Sequence, residues 1–162
     1  MAKWVVHGKW NSKFGLSKGI SIYVNSLIDF PQKNLEFVNY AKAQGKSIMG
    51  SSRGNIVDMI AGMAASHDSG RRKDKWEFGL VFQLEFLKKK GEDFIKAWYL
   101  HQALDYISEE IYKRGRWAKE SIKEEINLGM LERLMKSSSE LWEIKGFVLN
   151  NFDAIFEDCV PS

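Results

Sequence analysis

The sequence predicts an all-α domain, a compact bundle of about six or seven helices behind a basic, aromatic-containing N-terminal arm. Three observations carry that expectation. Only two prolines occur in 162 residues, Pro31 and Pro161, so long stretches lack the residue that most disrupts a helix. Apolar side chains recur at three- and four-residue steps through most of the chain beyond Gln32. Glycines or polar caps stand where those runs stop, at Gly45, Gly91, Gly115 and Ser137. With 44% apolar and 28% charged residues, the chain has the makeup of a folded protein and not of a disordered one.

Residues 1–18 hold four lysines and no acid, with Trp4, Trp10 and Phe14 interleaved. No period is sustained there, so an arm is expected over 1–18, ahead of a single helical domain over 19–162. Such an arm either holds phosphates while its rings stack on bases, or straps its tryptophans to the domain's own surface. Residues 20–30 fit a helix through Ile20, Val24, Leu27 and Ile28, and a strand through Ile20, Ile22 and Val24. Pro31 ends the segment in either case. A helix is expected over 32–44, with Leu35, Phe37, Val38 and Tyr40 apolar and Gly45 as its C-cap.

A loop follows to Gly54, then a small-residue helix over 55–66 with Ile56, Met59, Ile60 and Met63 on one side. Residues 74–90 are apolar nearly all round and are expected at the centre of the core. Lys88, Lys89 and Lys90 complement the C-terminal end of that helix dipole. The longest helix is expected over 92–114, opened by acids and closed by Lys113 and Arg114. Its core stripe is Ala97, Leu100, Leu104, Ile107 and Ile111, and His101 and Asp105 lie on the adjacent face. One amphipathic helix is expected over 116–136, with Trp117, Ile122, Ile126, Met130, Leu131 and Leu134 apolar. Ser137 and Glu140 have the spacing of a capping box and open a last, aromatic-rich helix over 140–158.

Charge is unevenly spread. Residues 1–75 carry 12 basic and 5 acidic side chains, a net of +7, whereas residues 76–162 carry 12 and 16, a net of −4. A basic front half suits an anionic partner. The candidate contacts are Lys9, Lys13, Arg53, Arg71, Arg72, Lys73 and Lys75. The leading expectation is therefore a non-enzymatic nucleic-acid-binding or nucleoprotein-assembly subunit that reads phosphates, needs no cofactor and joins an oligomer or larger assembly. A protein-interaction adaptor working through the aromatic C-terminal helix is a further alternative.

Cys159 stands alone, which rules out a disulfide within the chain and a cysteine zinc motif. The opening residues lack the apolar core of a signal peptide, and no run reaches the roughly 18 apolar residues of a membrane span. A soluble, intracellular protein is expected.

Ser66, His67, Asp68, Ser69, Gly70 and Arg71 resemble the His-Asp-x-Gly-Lys/Arg turn of the HD-domain metal-dependent phosphohydrolases. That resemblance implies an all-helical fold in which His67 and Asp68 ligate a divalent metal. It also implies a histidine from an early helix and a downstream aspartate. His7 is the one upstream histidine and falls in the expected arm, a departure from the pattern. Asp105 fits the downstream position, with His101 one turn before it. The alternative reading is thus an HD-like metal-dependent phosphohydrolase with His67, Asp68, His101 and Asp105 as metal ligands.

Overall fold

The computed structural model describes residues 2–48 and 82–162, with the backbone alone over 44–48. The described residues form nine α-helices and no strand. They are α1 (Trp4–Phe14), α2 (Lys18–Asp29), α3 (Leu35–Ile48), α4 (82–88), α5 (Glu92–Arg114), α6 (Lys119–Asn127), α7 (Met130–Leu134), α8 (Ser139–Asn150) and α9 (Phe152–Cys159). None of them is long and apolar enough to cross a membrane. The expected helix over 55–66 and the His-Asp motif at 66–71 lie outside the described residues.

The segment expected as an arm is helical over Trp4–Phe14. His7, Trp10, Asn11 and Phe14 recur at helical spacing, and the first three are buried. Their burial against α2, α5 and α9 outweighs the weak helix propensity of a stretch with two valines and Gly8. Gly15 ends α1 in the left-handed conformation at φ 98°, which glycine adopts without a Cβ penalty. Ser17 then caps α2 by accepting from the Ile20 amide at 3.2 Å. The helix-or-strand ambiguity over 20–30 resolves as helix, with Val24, Leu27 and Ile28 in the core. Asn34 caps α3, which runs on through Gly45 to Ile48.

α5 is the axis of the molecule. Its residues Ala97, Leu100, Leu104, Ile107 and Ile111 are buried as the periodicity requires, and α1, α2, α8 and α9 all pack on it. The helix expected over 116–136 is broken: Arg116–Ala118 is a short 3₁₀ turn, α6 follows, and Gly129 at φ 102° separates α6 from α7. The turn leaves Trp117 outside the core, 90% exposed. Ser138, one residue beyond the expected cap, opens α8 by accepting from the Leu141 amide. The last helix is likewise two, α8 and α9, divided at Asn151.

Candidate metal centre

Polar side chains gather in the core where α1, α2 and α5 meet. α1 contributes His7, α2 contributes Asn25 and Asp29, and α5 contributes His101 and Asp105. His7, Asn25, His101 and Asp105 are all buried. Positions 101 and 105 share a helix face because they are one turn apart. His7 meets them because α1 packs its His7–Trp10–Asn11 stripe on α2 and α5.

The imidazoles of His7 and His101 stack, with centroids 3.9 Å apart and planes 5° from parallel. Asp105 faces both rings: Oδ1 lies 3.2 Å from His7 Nε2, and Oδ2 lies 3.2 Å from His101 Nε2. The Ala2 amide also donates to Asp105 Oδ1, at 3.0 Å. On the far side of its ring, His101 Nδ1 lies 2.8 Å from Asn25 Oδ1. An amide oxygen only accepts, so a His101 that donates here carries a proton on Nδ1. Its Nε2 lies toward Asp105 and toward Asp29 Oδ1, 3.7 Å away. The Trp4 indole N–H holds the other oxygen of Asp29. His7 Nδ1 has no hydrogen-bond partner among the described residues.

Burial pushes the His7 imidazole below its ordinary pKa, and neighbouring His101 adds to that, against the pull of Asp105 and Asp29. Burial alone would raise the Asp105 carboxyl. The histidines beside it, His101 foremost, hold it well below the usual carboxylate range instead. Two imidazoles beside buried carboxylates favour a cation, a proton or a metal ion, at this place.

The donor types suit a divalent metal. The two 3.2 Å separations reach different oxygens of Asp105 and the rings lie stacked and parallel, so one ion held by both imidazoles requires a ring to turn. One donor atom from each of His7, His101 and Asp105 lies within 4.8 Å of the others. Two imidazoles and a carboxylate suit zinc, manganese or iron better than calcium. A cavity of about 460 Å³ opens beside the centre between α1 and α2, and its lining includes Trp4, Lys9, Lys18 and Asn25. Cys159 is no rival nucleophile: it is buried, its Sγ lies 3.9 Å from the Leu104 carbonyl, and burial pushes the thiol up to about 12.

Of the residues singled out by sequence, His101 and Asp105 come together here. Lys9 and Lys13 sit on the exposed side of α1, with Lys13 Nζ 4.5 Å from the centre of the Trp10 ring and Lys9 paired with Asp158 at 2.6 Å. His67, Asp68, Arg53, Arg71, Arg72, Lys73 and Lys75 lie outside the described residues. In the aromatic C-terminal segment, Phe152 and Phe156 are spent inside the core, whereas Trp142 is exposed. Asn25 and Asp29 were not anticipated, and His7, the one upstream histidine, was expected in an arm and not on a helix. The signal for His7 was there, in the helical spacing of His7, Trp10, Asn11 and Phe14.

No protein-family model, no curated protein and no solved structure matches this chain. The described residues define its class by themselves: an all-α protein with a buried two-histidine, one-carboxylate centre.

Proposed function

We propose that this chain is a metal-dependent phosphohydrolase of the HD-like kind, with His7, His101 and Asp105 among the ligands of its divalent ion. The observation that carries the reading is one buried carboxylate facing two stacked imidazoles at the crossing of three helices. His7 lies on the first helix and Asp105 on a later one, which supports the resemblance at the two positions the turn at 66–71 does not supply. The basic front half and the lysines lining the adjacent cavity favour an anionic substrate.

A divalent ion in such a centre is a Lewis acid for a phosphoryl oxygen and a source of hydroxide at neutral pH. Asp105 would contribute the charge that balances the ion, and His7 and His101 would contribute neutral nitrogen donors. Asp29, tethered by Trp4, places a second carboxylate 3.7 Å from His101 Nε2.

Equilibrium dialysis against Mn²⁺ or Zn²⁺ tests the proposal. About one ion per chain is expected for the wild type, and its loss is expected in His7→Ala and Asp105→Asn. Metal-stimulated hydrolysis of bis(4-nitrophenyl) phosphate or 4-nitrophenyl phosphate should vanish in the same variants. A His67→Ala variant asks whether the pair at 67–68 belongs to the same centre. A folded wild type that binds neither metal removes the reading.

A second reading, non-enzymatic nucleic-acid binding, is favoured by the exposed lysines of α1 and the start of α2. Lys13 and Lys18 have no ion-pair partner among the described residues. Binding to short DNA or RNA, followed by fluorescence anisotropy, should weaken steeply between about 50 and 200 mM salt and fall in Lys13→Ala. Salt-independent binding, or none, excludes it.

A further inference from the structure

Asn25 is among the few polar side chains buried in α2, and its place is explained neither by packing nor by capping. Its Oδ1 meets His101 Nδ1 at 2.8 Å, while its Nδ2 points to Ser21 Oγ at 3.5 Å. Ser21 Oγ also accepts from Asn11 Nδ2 at 2.9 Å. All four side chains are buried. A buried amide places its oxygen and its nitrogen where the opposite partner is found. Ser21 Oγ accepts from the amide nitrogens of both Asn11 and Asn25, and in that arrangement the oxygen of Asn25 faces His101.

This matters because the other face of the His101 ring meets carboxylates. Asp105 Oδ2 and Asp29 Oδ1, at 3.2 and 3.7 Å from Nε2, would draw the single imidazole proton to Nε2 and block that nitrogen as a donor to metal. The acceptor at Nδ1 opposes them. We infer that Asn25 is a positioning residue: it keeps His101 in the Nδ1–H tautomer and so directs the Nε2 lone pair into the centre. Asn11 and Ser21 hold Asn25 in the orientation that does this. The consequence for metal affinity rests on the metal-centre reading, but the consequence for the tautomer does not.

The test has two readouts, both on the whole chain. Long-range proton–nitrogen correlation spectra of protein labelled with nitrogen-15 histidine report the tautomer, in chelator and above the pH at which the imidazoles are neutral. A His101→Gln spectrum assigns the ring. The wild type should show Nδ1–H at His101, and Asn25→Leu should move the proton to Nε2. Asn25→Asp, which still offers an acceptor, should keep it on Nδ1. Equilibrium dialysis against Zn²⁺ should then show about a 10- to 100-fold loss of affinity in Asn25→Leu, largely restored in Asn25→Asp.

A wild-type His101 protonated at Nε2, or a tautomer unmoved in Asn25→Leu, overturns the inference. So does a switched tautomer with unchanged zinc affinity. If the wild type binds no metal yet the tautomer follows Asn25, the metal-centre reading falls and the positioning role stands. Should Asn25→Leu fail to fold, Ser21→Ala serves in its place, since it frees the Asn25 amide to turn; a His101 tautomer that stays fixed at Nδ1–H in that variant overturns the part assigned to Ser21 and Asn11.

Discussion

The two ends of the molecule spend their interiors differently. Where α1, α2 and α5 meet, the core holds His7, Asn11, Ser21, Asn25, His101 and Asp105. Where α5 meets α8 and α9, it holds Leu141, Ile144, Val148, Phe152, Ile155 and Phe156. No buried polar side chain among the described residues comes from beyond α5. Polar groups at that end are tied up in part-buried ion pairs such as Lys145–Glu132 and Arg114–Glu125. An apolar interior is the cheaper way to stabilise a fold, since each buried polar group must be matched by a partner. A chain that follows this rule at one end and departs from it at the other sets the second end apart, and it is there that the proposed chemistry would sit.

The comparison would be broken most visibly from the apolar side. Phe156 is 1% exposed and packs beside Phe152, with ring centroids 5.9 Å apart. Phe156→Ala should cost about 3 to 5 kcal/mol in denaturant unfolding through lost transfer energy and a residual cavity. The same variant should bind metal as the wild type does while folded. A change in metal affinity comparable to that of Asp105→Asn would mean that the two ends are not separable.

Metal itself should act from the polar side. An ion at about 100 times its dissociation constant stabilises the state that binds it by about 2.7 kcal/mol. That increment is expected in the wild type and in Phe156→Ala, and it should be absent in Asp105→Asn. Thermal or denaturant midpoints with Mn²⁺ or Zn²⁺ and with chelator measure it.

How much of this contrast could be read from the sequence differs between its two sides. The apolar end was legible, because hydrophobic periodicity is the signal that such packing leaves. The stripe of α5 emerged from spacing alone, and Gly91 and Gly115 stand at its ends as expected. What periodicity missed there were breaks inside apolar runs. Gly129 falls between Leu128 and Met130, so the pattern reads through it, yet its φ of 102° ends one helix and opens the next. Trp117 counts as apolar in any tally, but the 3₁₀ turn shifts it out of register and exposes it.

The polar end was legible only within single helices. His101 and Asp105 are one turn apart and can be paired by eye. His7 shares its stripe with Trp10, Asn11 and Phe14, and two of those four are polar, so an apolar count finds no helix. Asn25 and Asp29 reach the centre by tertiary packing, which leaves no local pattern.

Acid should separate the two ends without any mutation. In the metal-free protein His7 is held below its ordinary value of 6.5 by burial and by His101, against Asp105 and Asp29. The unfolded chain therefore binds more protons just below pH 6.5, and stability rises with pH up to that point. Acidification below about 6.5 should lower stability by up to about 1.4 kcal/mol per pH unit for this one group. His7→Gln should remove that part of the curve. Asp105, held below its ordinary 3.8, contributes stability above that value that is lost only as the pH falls further. Unfolding free energies in chelator across this range, for wild type and His7→Gln, measure both limbs.

The smallest effect belongs to the surface pairs that serve the apolar end. Arg114 grips Glu125 with two hydrogen bonds of 2.8 and 2.9 Å and reaches Glu110 at 3.0 Å, tying the end of α5 to α6. Its geometry is better than that of most exposed pairs, and Ser121 and Tyr106 join the same carboxylate. Both side chains nonetheless remain about a third exposed, at 34% and 29%. Water and salt screen such a pair, so Arg114→Gln should cost no more than about 1 kcal/mol, and less in high salt. Compared in the same denaturation assay, Asp105→Asn removes a charge of the same sign as Glu125 from among two buried imidazoles. If Arg114→Gln proved the costlier of the two, the ion pairs at the C-terminal end would be structural elements in their own right, and burial of charge would no longer distinguish the end where α1, α2 and α5 meet.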